Sequence, residues 1–445
     1  MVLMILVPII IQNGITNFVS LLDNIMVGQV GTEQMSGVSI ANQLIMVFNL
    51  CVFGAVSGAG IFGAQFYGKG DQEGVRYSLR YKLIISAIIF TAGVIIFCTA
   101  GDKLIQLYLQ GESQGSDPEK MFRYGKTYLL TMLPGLLPFA MVQSYSSTLR
   151  ECGETVLPMK AGILSVFVNL ILNYLLIFGK FGFPELGAVG AAVATVIARY
   201  VEFLIVVVWT HTHLEKNAFA RGLYRNFRIP LKLAGQIFRT GTPLMINETL
   251  WSAGMATLTQ CYSVRGLEVV AGLNITSTIS NLFSVVYIAL GTAVAIVVGQ
   301  LLGANKLEEA KETDYKLLFF AVVAGAAVGV VLLVFAPVFP NLYNTAEEVR
   351  NMARNFIIVF ACCMPLQSFC NATYFTLRSG GKTILTFGFD CGYLWLLAIP
   401  VAFVLSRFTT LPILPIYAII QGMEFIKCVI GFILVKKGIW INRFV

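Results

Sequence analysis

The chain is a succession of apolar runs, most of about twenty residues or more, at 2–22, 36–66, 83–100, 124–147, 157–178, 187–210, 233–262, 269–302, 317–339, 355–377, 384–405 and 414–435. A water-soluble body cannot hide so many. Only 12% of the 445 residues are charged against 57% hydrophobic, too few charges to coat a soluble protein of this size. Lipid is therefore the solvent. In hydrocarbon every backbone N–H and C=O must be paired within the protein, which leaves helices or a closed barrel, and a barrel would show short alternating segments instead. The expected fold is an all-α integral membrane protein with twelve transmembrane helices, and the lipid bilayer is its first partner.

A duplication orders those helices. T-L-R-E-C-G-E-T, starting at Thr148, returns 228 positions later as T-L-R-S-G-G-K-T from Thr376. Gln65, Gly68 and Glu73 return at Gln300, Gly303 and Glu308, an offset of 235, and a loop-like insert at 111–118 accounts for the difference. Two copies of one unit in the same sense give two six-helix bundles related by an internal repeat. The expected division is an N-lobe at 1–211, a cytoplasmic connector at 212–234 and a C-lobe at 235–445.

Lys and Arg orient the bundle, because basic residues of short connections stay on the cytoplasmic side. With both termini inside, the inner connections carry 20 basic residues and the outer ones 9. The net charge of +8 is then a topology signal, and no base-reading motif points to a nucleic-acid partner. The chain opens inside an apolar run with neither charged leader nor cleavage site, so no cleaved signal peptide is expected, although a few leading residues could precede this start. The nine cysteines follow no framework spacing and read as packing residues. His211 and His213 read as a solvated helix end rather than a metal site.

An ionisable group at the centre of a spanning helix costs roughly 2.5–3.5 kcal/mol, so each one present is a functional candidate. Asp23 lies in the outer part of the first run and Glu248 in the seventh, a few residues past Pro243, which can loosen the helix. Neither has an opposite charge within reach on its own helix. At the repeat offset Asn247 and Glu248 correspond to Gln12 and Asn13, so both copies carry a polar pair at this level. Arg199 with Glu202, and Glu424 with Lys427, stand three apart and can neutralise one another on one helix face. Asp390 is placed to reach the inner interface. Asn169 and Asn173 share a helix face one turn apart in the fifth run, and Thr195 adds a hydroxyl in the sixth. The second copy has Leu397 and Val401 in place of the asparagines. The fold itself does not need amides there.

The L-D-N-I-M-V-G around Asp23, the G-A-Q-F-Y-G-K-G connection, the T-L-R-x-x-G-x-T turns and the N-E-T of the seventh run together resemble the multidrug and toxic compound extrusion (MATE) family, in its bacterial NorM/DinF-like branch. The resemblance covers essentially the whole chain. It implies an export antiporter, not an enzyme, whose two bundles enclose a cavity that opens alternately to each side, driven by inward H⁺ or Na⁺ and using no cofactor. Asp23 matches the family's first-helix acid, Asn169 its fifth-helix Asn, Thr195 its sixth-helix hydroxyl and Glu248 the seventh-helix acid of the NorM-like branch.

Two departures bear on the coupling ion. Asn173 stands where many members carry a second fifth-helix Asp, and the run 355–377 has no Asp where sodium-coupled NorM-like members have one. A hard cation prefers an anionic oxygen shell, so H⁺ is favoured; a Na⁺ ion would sit near Asp23 and Asn169. The expected site is thus Asp23, Glu248, Asn169, Asn173, Thr195 and Asn247, with Asn13, Glu202, Asp390 and Glu424 in reserve. The expected protein is a monomer in a bacterial inner membrane exporting cationic amphipathic compounds. The alternative is a lipid-linked saccharide flippase of the same superfamily, which would need a basic cavity.

Overall fold

The computed structural model describes residues 2–109, 117–343 and 345–444, with the side chains of residues 2, 20, 21, 23, 24, 25, 28, 32, 108 and 267 outside the description. The expected insert at 111–118 falls almost wholly outside it. Every element among the described residues is helical, and the elements follow the twelve apolar runs in order. They are α1 (Val2–Gly28), α2 (Thr32–Lys69), α3 (Gln72–Leu109), α4 (Pro118–Met132) leading through a 3₁₀ turn into α5 (Leu136–Glu151), α6 (Val156–Phe178) and α7 (Ala188–Thr212). The second set is α8 (Leu231–Ser263), α9 (Leu267–Gly303), α10 (Leu307–Phe335), α11 (Glu347–Ser379), α12 (Thr383–Phe387) running through π-helical turns into α13 (Ile399–Phe408), then α14 (Ile413–Gly422) and α15 (Glu424–Lys436). Among the described residues, nine helices are long and apolar enough to cross a membrane. Pro243 lies inside α8 without ending it.

The duplicated motifs prove to be turn chemistry. After α5, Gly153 adopts φ +84 and Glu154 N donates to Leu149 O; after α11, Gly381 adopts φ +68 and Lys382 N donates to Leu377 O. Both are glycine-closed helix ends, where only a residue without Cβ enters the left-handed region cheaply. Arg150 and Arg378 sit in the last turns of α5 and α11, where a cation faces the exposed carbonyl ends.

The chain forms two compact units, one of Ile11–Gly63 and Asp71–Phe238, the other of Met1–Ile10, Ala64–Gly70 and Arg239–Val445. The first is filled by α2, α3, α4, α5 and α7, around Phe48, Val52, Leu129 and Leu136. The stretch after α7 is bound to this unit: Phe219 and Leu223 are buried, Arg76 donates to Phe219 O (3.0 Å), and Arg80 donates to Leu223 O (3.0 Å) and Gly222 O (2.8 Å). The second unit is centred on α9, α10 and α11, and the start of α1 contributes Ile5, Leu6 and Ile9 to its core. Its C-terminal tail is equally bound, with Trp440 fully buried and Gln65 Nε2 donating to Asn442 O (3.3 Å).

Lipid supplies no hydrophobic drive between helices, so close backbone approach has to do the packing. In the second unit two small-residue pairs meet, Ala64 and Gly68 at the end of α2 with Gly299 and Gly303 at the end of α9. A Cβ on Gly303 would collide with the Gln65 backbone, and one on Gly68 with the Gln300 backbone. Backbone cannot swing aside as a side chain can. Gly303→Ala is expected to cost about 1–3 kcal/mol by overpacking, read as a lower melting temperature in detergent. Gly235→Ala on α8, where a Cβ meets nothing within 4 Å, should raise it or leave it unchanged.

Candidate functional site

In the unit holding residues 11–63 and 71–238, the α6 and α7 candidates come together. Asn169 Nδ2 donates to Thr195 Oγ1 (3.1 Å) and Asn173 Nδ2 donates to Asn169 Oδ1 (3.2 Å). Both amides are buried and Thr195 is half-buried. The helical spacing of four that joined the asparagines in the sequence is what lets one amide bond the next. The side chain of Asp23 lies outside the described residues; its backbone is in α1. Asn13 is half-buried on α1 beside Gln12, whose Oε1 accepts from Arg150 Nη2 (2.8 Å).

Glu202 is also half-buried on α7, and its charge partners differ from the single-helix pairing expected. Arg150 of α5 acts on it more strongly than Arg199 does, while Arg199 donates to Gly135 O (3.2 Å) and lies over the Phe139 ring.

In the other unit the candidates form a continuous network. Asn247 is 1% exposed and its Nδ2 donates to Asp390 Oδ2 (3.1 Å) and Tyr374 Oη (3.4 Å). Tyr374 in turn donates to Glu248 Oε1 (3.3 Å). Arg378 and Asp390 both lie within electrostatic reach of Glu248. Asp390, expected to reach the inner interface, has a partner within the unit: its Oδ1 accepts from Lys427 Nζ at 2.7 Å, with the two side chains 14% and 11% exposed. Lys427 therefore takes its close partner from the segment after α12 rather than from Glu424, which contributes to its field at longer range. A lysine with several carboxylates in range settles on the one whose geometry allows a direct hydrogen bond.

Tyr374 escaped the sequence reading, and Lys427 was read only as a partner for Glu424. Arg378 was legible as a duplicated residue, but its direction was not. A second cluster escaped too. Lys82 of α3, counted as a topology charge, is fully buried and donates to Glu151 (2.7 Å), Ser147 Oγ (3.1 Å) and Thr148 Oγ1 (3.0 Å). Gly60 and Gly63 of α2 leave the space that the Glu151 carboxylate fills. His211 is likewise not a solvated end: it bonds the Tyr145 hydroxyl (3.0 Å) and stacks on Tyr224. Among the described residues no group of three His, Cys, Asp or Glu side chains could hold a metal ion.

The MatE family model matches residues 8–175 and 243–404, one block in each repeat. A probable multidrug resistance protein NorM of Thermotoga maritima is 27% identical over 415 residues, 92% of this chain and 85% of that protein. A probable multidrug resistance protein YoeA of Bacillus subtilis is 24% identical over 417 residues, 93% and 88% of the two chains. Among solved structures, a multidrug resistance MATE family transporter of the MOP superfamily in an outward-facing conformation superposes with TM-score 0.88 at 20% identity, covering 98% of this chain and 95% of the other. A MOP superfamily transporter from Pyrococcus furiosus, described as having a binding pocket of reverse polarity, superposes with TM-score 0.86 at 20% identity over the same shares. The structural likenesses carry the fold.

The Asp390–Lys427 pair can be tested by itself. Lys427→Met or Asp390→Leu alone strands one buried charge and is expected to cost about 3–5 kcal/mol, whereas the double variant should recover most of that loss. Thermal unfolding of the purified chain in detergent measures all three. Losses that simply add would show that the two side chains are not partners.

Proposed function

The chain belongs to the MatE family, whose members are membrane transporters and not enzymes, and from that premise we propose that it is a multidrug exporter of the antiporter type, exchanging organic cations for protons by alternating access. One observation carries the reading. Around Asn247, Glu248 and Asp390 face Arg378 and Lys427, and Glu424 adds a third carboxyl at longer range among the described residues. With all three carboxyl groups ionised, the acids exceed these two cations by one among the described residues. A proton or an organic cation can cancel that excess, and both cannot do so at once.

The size of that competition follows from Coulomb's law. A unit charge about 4 Å from the surplus carboxylate gains on the order of 4 kcal/mol at an effective dielectric constant of about 20, close to a thousandfold in affinity. Protonating Glu248 removes this attraction and leaves the neutral carboxyl hydrogen-bonded through Tyr374. An inward proton gradient then drives the organic cation outward, because arrival of the proton on one side discharges the passenger and its departure on the other recreates the site. Asp23 is assigned the matching role in the first repeat, with Asn169, Asn173 and Thr195 as neutral supports for either passenger.

The same reading places the protein as a multi-pass transporter of the bacterial inner membrane, with both termini cytoplasmic. It acts as a monomer on small organic molecules and uses no cofactor. A saccharide-lipid flippase would need surplus positive charge, and the Asn247 network carries the opposite sign.

In proteoliposomes of the full chain, an imposed pH gradient is expected to drive transport of a fluorescent organic cation, and a sodium gradient at equal pH is not. Glu248→Gln and Asp23→Asn should each reduce the pH-driven rate by about tenfold or more, the scale of about 1.4 kcal/mol or more, while the protein elutes as a folded species. Unchanged transport in both variants, or transport driven by sodium alone, would discard proton coupling through these residues.

A further inference from the structure

The duplicated threonines of the T-L-R turns meet opposite chemistry in the two repeats. In the first, Thr148 Oγ1 donates to Ser144 O (3.0 Å), its own helix's carbonyl four residues back. A hydroxyl has a single hydrogen. Its oxygen therefore accepts from Lys82 Nζ (3.0 Å), which can only donate. In the second, Thr376 Oγ1 bonds Ala372 O (3.1 Å) in the same i, i−4 manner, and on its other side stands Asp314 Oδ1 at 2.6 Å.

Asp314 lies on α10, 0% exposed, against α11. Its Oδ2 has no hydrogen-bond partner, and no basic group lies within 4 Å of it among the described residues. The neighbouring charges are accounted for. Lys316 pairs with Glu312 (2.6 Å), Lys311 makes no ion pair, Arg378 of α11 lies over the Phe375 ring within reach of Glu248, and α9 offers the uncharged Gln300. The residues that neutralise the first repeat are missing: Leu317 stands where that repeat has Lys82, and Ser379 where it has Glu151.

An ionised Asp314 would thus be a carboxylate buried between α10 and α11, with one oxygen unbonded and the other competing with Ala372 O for one hydrogen. A protonated Asp314 resolves both difficulties. Its O–H donates to Thr376 Oγ1, the threonine keeps its own hydrogen for Ala372 O, and the remaining oxygen is a carbonyl, much cheaper to leave unpaired than a carboxylate oxygen. We propose that Asp314 and Thr376 form a proton-binding site of the second repeat, with the proton carried on Asp314 and donated to the threonine that in the first repeat accepts from a lysine. The site is separate from the Asn247 network and independent of which ion drives transport.

Infrared spectra of the full-length chain in lipid at neutral pH test this directly. Asp314→Asn is expected to remove one protonated-carboxyl carbonyl band. Leu317→Lys, which places an ammonium where the first repeat has one, should convert that band to carboxylate absorption. Should Asp314→Asn fail to fold, Thr376→Val decides: a protonated Asp314 loses its acceptor and its band shifts toward that of an unbonded acid, while an ionised Asp314 leaves no band to shift. Loss of carboxylate absorption alone in Asp314→Asn, or no band movement in Thr376→Val, overturns the proposal.

Discussion

A charge inside hydrocarbon has to be answered by a partner close at hand, and that demand shapes both units of this chain. Water would screen a misplaced lysine; a lipid-embedded helix offers it nothing, at a cost of roughly 2.5–3.5 kcal/mol. Hence Lys82 is enclosed by Glu151, Ser147 and Thr148, and Lys427 is held by Asp390 at 2.7 Å. Each pair joins two separate helices: α3 to α5, and α15 to the π-helical segment after α12. The electrostatic requirement thereby becomes a packing rule. Such pairs need not exceed apolar packing in stability, but they strongly penalise any arrangement that parts the two helices.

Duplication kept the geometry and let the chemistry drift. Gly153 and Gly381 close equivalent turns at φ +84 and +68, and Arg150 and Arg378 project from equivalent last turns toward α1 and α8, where Gln12 meets one and Glu248 the other. Gln12 accepts from Arg150 as a neutral amide, with the Glu202 carboxyl of α7 in electrostatic reach. A carboxylate cancels an arginine's charge and becomes able to exchange it for a proton. The same scaffold thus yields an arginine hydrogen-bonded to an amide in one repeat and an arginine beside a tyrosine–carboxyl network in the other.

What the sequence disclosed were the features that act along the chain. Apolar length gave the helices, and repeat offsets gave the turns. A spacing of four gave the Asn169–Asn173 contact, because both residues ride on one helix face. What it concealed depends on helices far apart in sequence. Lys427 had an acid three residues away at Glu424 and still took Asp390, since a direct hydrogen bond is decided by how α15 meets its neighbour. Lys82 and Glu151 looked like interfacial charges because nothing local shows that Gly60 and Gly63 open a space for them. Asp314 was hidden in a stretch rich in surface charge, K-E-T-D-Y-K, where only the α10–α11 contact distinguishes the inward acid from Glu312 and Lys316.

The polar sets also weigh differently on the two coupling ions. Sodium needs several oxygens converging on it, and on α6 and α7 the amide and hydroxyl groups are linked to one another. Asn169 Oδ1 accepts from Asn173, Thr195 Oγ1 accepts from Asn169, and Thr195 spends its own hydrogen on Ala191 O at 2.9 Å. A proton makes a smaller demand. It needs one carboxyl with a neighbour that can serve as donor or acceptor, which is what Tyr374 offers Glu248.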